Sequence, residues 1–561
     1  MSTPKEVFLE LIKPDGQPER QLCQYEALHM CLTDPINTYL RGNRKRGTVS
    51  KDRWGTTISF PEDAPGPIPV HTLELTVCPD VTHWKDTVHV PDLSVCSEGW
   101  EECRTRSRAA ADAEGKLLAG FMGTGIFEQC HFLMGFEDTL TALYEHPDEM
   151  HELIETITQY RLDYVRRLID GLQPDVIFSH DDWGTKNALF MKPDMWREFF
   201  KEPYRRFYGY IRSRGVIAIH HADSYLVPIV DDMAEIGIQV WQGTLPENDI
   251  PALQRHLNGK LTLMGGFGAA IDRADAQPDE ILTYARDTLA RCCPGGHFIP
   301  SITYGLAGTV FPHVDQYLDQ AVNEYNAGLH IPVTPLPAVP KRKISEAKAE
   351  VVQAATSAQE SADVFENIAR ALERGQQKKL LTLCQQALDE GHEPSDILSK
   401  GMIIGMNRLG EAFSANRAFV PEMLMAARCM SAATELLKPL MVGEGTEPVG
   451  RVCLGTVKGD MHDIGKNLVR IMMEGSGIEV FDLGVDTSAE QFVSTAVENH
   501  CGVIACSSLL TTTMEEMREV VKLVHERGLQ NQIKVMVGGA PISQSFCDEI
   551  GADYYLSLIH I

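Results

Sequence analysis

The pattern of apolar and polar residues changes twice along the chain. In the first part, short apolar runs end in small or polar residues, and segments with helical apolar spacing separate them. These runs read "PDVIFSHDDWG", "GVIAIHHADS", "GIQVWQG", "LTLMGGFG" and "GGHFIPSITYG". Repeated strand–helix units of this kind predict a parallel β/α barrel, in which chemistry collects where the strands end. A doubly wound open sheet is the alternative that this pattern leaves open.

A different pattern follows a proline-rich stretch, "LHIPVTPLPAVPKRKIS", which has the composition of a linker. Segments such as "PSDILSKGMIIGMNRLGEAFSAN" and "VPEMLMAARCMSAATELLKPLM" carry apolar residues three and four positions apart. This spacing predicts a small bundle of helices.

From Arg451 the apolar runs become short again, in "RVCLGTV", "IEVFDLG", "GVIACSS" and "IKVMVGG". They predict a Rossmann-like, flavodoxin-like parallel sheet whose ligands lie beyond the carboxyl ends of its strands. We therefore expect an α/β protein with a barrel at 1–330, a linker at 331–345, a helical domain at 346–448 and a Rossmann-like domain at 449–561.

Composition limits the class of partner. Of 561 residues, 43% are hydrophobic and 23% charged, and the net charge of -27 argues against nucleic acid or an anionic membrane as partner. No apolar run has the length of a membrane span, and the N-terminus lacks the layout of a signal peptide. The 14 scattered cysteines include no CxxC pair, which favours free thiols in a reducing cytoplasm.

The strand–helix turn "GTVKGDMHDIGKN" concentrates candidate chemistry. It matches neither the phosphate loop nor the dinucleotide fingerprint. It contains His462 with Asp460 two residues before it. A neutral imidazole can bind a metal through one nitrogen while a carboxylate accepts the proton on the other.

Three short motifs in this part resemble the signature of cobalamin-binding domains of the methionine synthase type. They are DxHxxG at Asp460, His462 and Gly465, SxL at Ser507 and Leu509, and GG at Gly538 and Gly539. The resemblance implies that His462 is the lower cobalt ligand of a corrinoid, with Asp460 behind it and Ser507 extending the hydrogen-bond chain. It also implies that the glycines admit the nucleotide tail and that the helical domain covers the upper face of the corrin.

The first part resembles the uroporphyrinogen decarboxylase superfamily in "DRWGTTISFPEDAPG", "SHDDWGTKN", "HHADS", "WQG" and "GGFG". That superfamily is a (β/α)8 barrel of the TIM type and includes corrinoid-dependent methyltransferases. Fusion to a corrinoid domain favours methyl transfer over decarboxylation, because a tether raises the effective concentration of the cofactor.

The site residues expected in the barrel follow from a departure from this family. Its thiol-methylating branch holds zinc with His-x-Cys and a later Cys, whereas this chain has His221-Ala222-Asp223 and Ser301. We therefore expect His221 and Asp223 to bind zinc or to act as acid and base. The next candidates end a neighbouring strand, and further ones are more scattered: His180, Asp181 and Asp182, then Glu128, His220 and His297.

The expected function is transfer of a methyl group from a small methylated donor, a methoxylated aromatic, to Co(I) of the corrinoid on the same chain. A second methyltransferase acting on tetrahydrofolate and a reductive activator of the corrinoid are the expected protein partners. Two alternatives stay open: methyl transfer from the corrinoid to a thiol such as coenzyme M, and a cobalamin-binding carrier or sensor with an inactive barrel. The family pattern continues with one more helix after "GADYYLSLIHI", so we expect the natural C-terminus to lie further on.

Overall fold

The computed structural model divides into two compact units, Met1–Ala355 and Thr356–Ile561. It describes residues 2–556 with gaps at 42–44, 61–66, 73, 306–307, 329–362, 415–416, 442–448, 461–463, 476, 509–512 and 540–541. The expected linker at 331–345 lies outside the described residues. None of the helices among the described residues is long and apolar enough to cross a membrane.

The strands of the first unit belong to two sheets. In chain order they are β1 (Leu28–Cys31), β2 (Thr48–Lys51), β3 (Thr57–Phe60), β4 (Ile68–Pro69), β5 (Leu117–Met122), β6 (Val176–His180), β7 (Ile217–His221), β8 (Val240–Thr244), β9 (Thr262–Phe267) and β10 (Phe298–Ile302). Strands β2, β3 and β4 form a small antiparallel sheet. The other seven form a parallel sheet in the order β1-β5-β6-β7-β8-β9-β10.

The parallel sheet is of the expected barrel type, and the described residues supply seven of the eight strands that a (β/α)8 barrel has. The two outer strands approach each other where Gln24 N–H, just before β1, donates a hydrogen bond of 2.7 Å to the Pro300 carbonyl of β10. Every second residue of the strands points inward, and helix Pro4–Leu11 contributes Val7, Phe8 and Leu11 to the same core. The barrel is therefore filled, and the space for a ligand lies at its rim.

Helices lie between and after these strands. Their bounds are Pro4–Leu11, Pro35–Arg41, Trp84–Thr87, Trp100–Ala113, Ile126–Met134, Phe136–Glu145, Pro147–Leu172, Pro193–Trp196, Arg197–Lys201 (a π-helical stretch), Glu202–Ser213, Val230–Glu235, Ile250–Leu257, Pro278–Cys292 and Pro312–Asn326. The 26-residue helix Pro147–Leu172 packs on the outer face of β5, where the absent side chain of Gly120 lets Leu168 and Leu172 approach.

The second unit opens with the predicted helices. They are Val364–Glu373, Gln377–Asp389, Pro394–Asp396, Ile397–Met402 (π-helical), Ile403–Ser414 and Val420–Met441. Buried Ile368, Leu372, Leu380 and Met423 form part of their shared apolar interior.

A parallel sheet follows this bundle. Its strands are β11 (Arg451–Thr456), β12 (Glu479–Asp482), β13 (Val503–Ser507), β14 (Lys534–Gly538) and β15 (Tyr554–Leu556), and its helices are Ile464–Gly475, Ala489–Glu498, Glu516–Glu526 and Gln544–Ile550. The order β12-β11-β13-β14-β15 is the flavodoxin-like one that the sequence predicts. Such a sheet changes winding direction between β11 and β13, and a crevice opens at that point.

Candidate functional site

The inward-facing residues at the carboxyl ends of β6 and β7 are His180 and His221. The two residues are paired in the register of the strands, and their imidazole rings stack with centroids 4.4 Å apart. Of the His180 side chain, 27% is exposed, so the pair borders open space at the rim of the barrel. A Cβ at Gly305 would lie 3.3 Å from His221 Nε2, so this glycine leaves room in front of the nitrogen.

Each of these histidines is oriented through its Nδ1 atom. His180 Nδ1 lies 3.0 Å from an oxygen of Glu128, and His221 Nδ1 is hydrogen-bonded to Gln242 Oε1. Gln242 Nε2 donates in turn to the carbonyls of Ile302 and Tyr304, at 3.2 and 2.9 Å. Both rings are thus oriented through Nδ1, and Nε2 of each ring is left as the atom that can bind a ligand. Metal-binding histidines in proteins are oriented in the same way.

A carboxylate completes the group. Ligand atoms of His180, Asp182 and His221 all lie within 4.8 Å of one another, close enough for one metal ion. Asp182 Oδ1 accepts a 3.0 Å hydrogen bond from the backbone N–H of Asp223. The expected metal pair was His221 with Asp223. The structure instead groups His221 with His180 and Asp182, and Asp223 holds Asp182 through its backbone.

The expected catalytic role of Asp181 does not fit its position. Its carboxylate is fully buried and accepts hydrogen bonds from the N–H groups of Phe127 and Glu128, at 3.0 and 2.9 Å, and from the Tyr204 hydroxyl. Asp181 therefore stabilises the first turn of helix Ile126–Met134. Because that turn carries Glu128, Asp181 acts on the site by positioning the partner of His180.

The electrostatics of the rim separate its acids and bases. Burial favours the neutral form of Glu128, but adjacent His180 outweighs it and lowers the pKa of Glu128 to about 2. Burial likewise disfavours charged His180, but Glu128 raises the pKa of His180 to about 10. Burial and the charge of His180 lower the pKa of His221 to about 3. His180 and Glu128 are consequently an ion pair at neutral pH, and His221 is a neutral base.

The remaining carboxyl groups of the rim have raised pKa values, which favours their protonated forms. Burial raises the pKa of Asp182 to about 6, and burial together with Asp182 raises the pKa of Asp223 well above its usual range. Burial also raises the pKa of Asp181 to about 7. This concentration of buried acidic groups is an environment that a bound cation stabilises.

Two further sequence candidates lie away from the rim. His220 points outward from β7, where its Nδ1 is 2.7 Å from the Tyr208 hydroxyl and its ring stacks on Trp183 at 4.0 Å. His297 precedes β10 at the opposite end of the barrel, where its Nδ1 is 2.9 Å from the Leu11 carbonyl. Neither reaches the His180–His221 pair. Gln242, which orients His221, was not among the site residues predicted from the sequence. Its place near the end of the "WQG" strand was the signal that could have indicated it.

The crevice of the second unit is built around Asp460. This residue follows β11, is fully buried and accepts hydrogen bonds from the hydroxyls of Ser508 and Thr513, at 3.2 and 3.0 Å. We expected Ser507 to extend this chain. Ser507 is the last residue of β13, and its neighbour Ser508 supplies the hydroxyl. The contact spans the two strands between which the sheet changes direction.

Three predicted cofactor-binding residues line one cavity of about 40 Å³: Ser507, Gly538 and Gly539. Gly539 has a φ of 135°, and a side chain there would collide with the Ser508 carbonyl. A Cβ at Gly538 would lie 2.6 Å from the Leu556 carbonyl. Only glycine fits at these positions, so no side chain covers the backbone at the carboxyl edge of the sheet.

Of the other predicted residues, Gly465 is the second residue of helix Ile464–Gly475. His462 and Leu509 lie outside the described residues, so their predicted roles remain predictions. The donor set around Asp460 and the glycine-lined edge fit the nucleotide-bearing side of a corrinoid. Asp460 precedes His462 by two residues in the chain, so its buried carboxylate is the group expected to accept a hydrogen bond from that imidazole.

Models of known families match three parts of the chain. The uroporphyrinogen decarboxylase (URO-D) model matches residues 49–325. Two models of B12 binding domains match residues 364–438 and 450–556. The matches coincide with the barrel, the helical bundle and the flavodoxin-like sheet.

Individual proteins and solved structures are similar to parts of the chain. Dimethylamine corrinoid protein 1 of Methanosarcina acetivorans is 44% identical over 164 residues, which are 29% of this chain and 77% of that protein. A cobalamin-binding protein from Desulfitobacterium hafniense, solved as a crystal structure, is 30% identical over 34% of this chain and 91% of its own, with a TM-score of 0.31. A methyltransferase structure from Methanosarcina mazei covers 58% of this chain and 99% of its own, at 16% identity and a TM-score of 0.43.

The corrinoid relatives and the barrel match together explain why the chain holds two kinds of site. The chain belongs to the corrinoid protein family through its last third, and with its URO-D-type barrel it is a fused corrinoid-dependent methyltransferase.

Proposed function

We propose that the barrel binds a methylated small molecule, most specifically a methoxylated aromatic, and delivers its methyl group to a corrinoid held by the second unit. The observation that carries the proposal is the group of His180, Asp182 and His221, with both imidazoles oriented through Nδ1. An ether oxygen is a poor leaving group until a proton or a Lewis acid reduces its negative charge. The barrel rim therefore needs an electrophile, and this group is suited to hold one.

Zinc fits the donor set of the rim. A zinc ion would displace the proton that His180 carries in its ion pair with Glu128. Two imidazole nitrogens and one carboxylate oxygen are then ligands that catalytic zinc accepts, with a fourth position left for substrate. A bound Zn²⁺ would supply Lewis acidity to the heteroatom that carries the methyl group. Glu128 and Gln242 hold the two rings in place, and Gly305 keeps the space before His221 open.

The second unit would hold the corrinoid through His462 as lower ligand, with Asp460 oriented by Ser508 and Thr513. A bound corrinoid supplies a strongly nucleophilic Co(I) centre that accepts a methyl group. Ser507, Gly538 and Gly539 would face its nucleotide tail. A separate methyltransferase that serves tetrahydrofolate and a reductive activator of the cofactor complete the proposed cycle.

The composition of the metal-binding group distinguishes this proposal from its nearest rival. Transfer to a thiol such as coenzyme M uses soft thiolate ligands on zinc, whereas the group formed by the described residues has two histidines and an aspartate. Ser301, which stands where that branch has a cysteine, is buried and donates its hydroxyl proton to the Ile302 carbonyl.

A donor panel tests the proposal. The full chain is loaded with corrinoid, reduced, and incubated separately with methoxylated aromatics, methylamines and methanol while its visible spectrum is recorded. We expect the spectrum of methylated corrinoid with methoxylated aromatics. A response to methylamines or methanol alone would contradict the proposed donor, and no response to any donor would contradict the direction of transfer.

A further inference from the structure

Arg41, the last residue of helix Pro35–Arg41, lies at the rim of the barrel with its guanidinium over the ring of Phe121, 4.9 Å from the centroid. Phe121 points into the barrel from β5 and belongs to its core. Stacking on an aromatic ring holds a guanidinium flat and leaves its edge N–H groups available. Among the described residues, no carboxylate forms an ion pair with this guanidinium.

A row of aromatic rings links Arg41 to the group of His180, Asp182 and His221. Phe121 pairs with Phe178, and their ring centroids lie 5.9 Å apart. The ring of Phe178 in turn lies 6.3 Å from that of His221. A Cβ at Gly123 would be 2.7 Å from Arg41 Nη2. The guanidinium therefore occupies the place of a missing Gly123 side chain, over the ring of Phe121.

The surroundings of Arg41 do not neutralise it. The carboxylate whose charge acts on Arg41 is that of Asp34, and its Oδ1 accepts hydrogen bonds from the N–H groups of Ile36 and Asn37, at 3.1 and 3.0 Å. Burial lowers the pKa of Arg41, as expected for a cation that loses water without gaining a direct counter-charge. Arginine nevertheless stays protonated in proteins, so a positive charge stands at the rim of a chain whose net charge is -27.

We propose that Arg41 binds an anionic group of the methyl donor and thereby selects methoxylated aromatic carboxylates. This inference rests on the proposed function, since it specifies the substrate of the same site. A planar guanidinium binds a carboxylate through two parallel hydrogen bonds. An aromatic ring carrying a carboxylate on one edge and a methoxy group on another can bridge Arg41 and the His180–His221 pair. The same charge repels methylammonium donors.

The experiment compares a matched pair of donors, 3-methoxybenzoate and 3-methoxybenzamide, which differ in charge but little in shape. Methyl transfer to reduced corrinoid on the full chain gives kcat and KM for each. For Arg41→Gln we expect KM for the benzoate to rise about tenfold or more, because a charge-assisted hydrogen-bond pair is lost. KM for the amide should change less than about twofold, and Arg41→Lys should recover part of the loss. Equal effects of Arg41→Gln on both donors would overturn the inference.

Two further variants test whether the effect of Arg41→Gln is specific or reflects a general loss of structure. Gly123→Ala introduces a methyl group against the guanidinium, so it should raise KM for the benzoate selectively while Arg41 stays in the chain. The control is Arg53→Gln, since Arg53 also stacks on an aromatic ring, 4.7 Å from the centroid of Tyr39, and donates to the Tyr39 carbonyl. Arg53→Gln should leave the preference for benzoate unchanged, and a loss of preference there would contradict the role of Arg41.

Binding of benzoate, measured by calorimetry on the full chain, separates this inference from the proposed function because it needs no reduced corrinoid. Benzoate binding that Arg41→Gln weakens about tenfold supports the inference even if no methyl transfer occurs, which would contradict the proposed function alone. Methyl transfer from the benzoate with no dependence on Arg41 would support the proposed function and overturn the inference.

Discussion

His180 and His221 stack in the barrel with their ring centroids 4.4 Å apart and their planes inclined by 26°. Each ring is held through Nδ1 by a different partner, Glu128 for the first and Gln242 for the second. Burial lowers the pKa of His221, and repulsion from the cationic His180 ring lowers it further. The pair therefore presents at least one neutral nitrogen to the open rim, which is the property that a metal ligand requires.

Replacing His220 and His221 one at a time distinguishes a histidine that takes part in methyl transfer from one that only packs in the fold. His221→Ala removes an inward ligand, and we expect methyl transfer to fall by about 100-fold or more, in the range typical of a lost catalytic group. His220→Ala removes an outward ring that contacts Tyr208 and Trp183. It should lower the free energy of unfolding by about 2–4 kcal/mol and keep the turnover of the folded fraction. Turnover per folded molecule and denaturant unfolding are measured for both. Equal losses of turnover per folded molecule in the two variants would contradict the different roles assigned to His220 and His221.

Gln242 should control the affinity for metal without touching the ion. In Gln242→Leu the Nδ1 of His221 loses its partner, and we expect zinc to bind about 10- to 100-fold more weakly. A chelator competition followed by metal analysis measures this, and removal of the metal should stop methyl transfer while the corrinoid stays bound. Gln254→Leu is the control, because Gln254 also donates to two backbone carbonyls, those of Cys292 and Gly296, away from the rim. Zinc retention that is the same in both variants would contradict the role of Gln242.

The hydroxyls of Ser508 and Thr513, which donate hydrogen bonds to Asp460, should affect corrinoid binding. The double variant Ser508→Ala, Thr513→Val removes two donors from the buried carboxylate. We expect corrinoid affinity to fall about tenfold, the lower end of what outer hydrogen bonds contribute to metal sites. Titration of unloaded protein with corrinoid measures it. Ser494→Ala, which removes an exposed hydroxyl from helix Ala489–Glu498, serves as the control. An unchanged affinity in the double variant would show that Asp460 is held in place by other groups.

The predicted lower ligand is tested by paramagnetic resonance of the Co(II) corrinoid. If His462 binds cobalt, its nitrogen splits the Co(II) signal, and His462→Gly should abolish that splitting while cofactor remains bound at saturation. The parent and the variant are compared at equal corrinoid content. Identical nitrogen splitting in both proteins would rule out His462 as the ligand.

The fold was largely predictable because its signals are local. The four short runs predicted in the last part became β11 to β14 in the predicted parallel arrangement. In the barrel, alternation along β7 implied that one of His220 and His221 faces inward, and the sheet register decides for His221.

Interactions across the barrel were harder to predict, because they depend on which strands become neighbours. Asp181, Asp182 and Asp223 are similar carboxylates at strand ends, and the sequence could not tell which would stabilise a helix and which would face His221. Gln242 and Arg41 gave weak signals, because an amide near a strand end and an arginine at a helix end are usual surface features. Their roles depend on His221 and Gly123, residues distant in sequence.

The central claim is that a methyl group moves from a donor in the barrel to the corrinoid on the same chain. The most direct measurement follows 3-methoxybenzoate labelled with ¹⁴C in its methoxy group after one turnover with the reduced, corrinoid-loaded protein. The account predicts about one label per chain on the corrinoid, and label that stays in the donor when His221 is replaced by alanine. Label that remains in the donor with the parent protein as well would contradict the account.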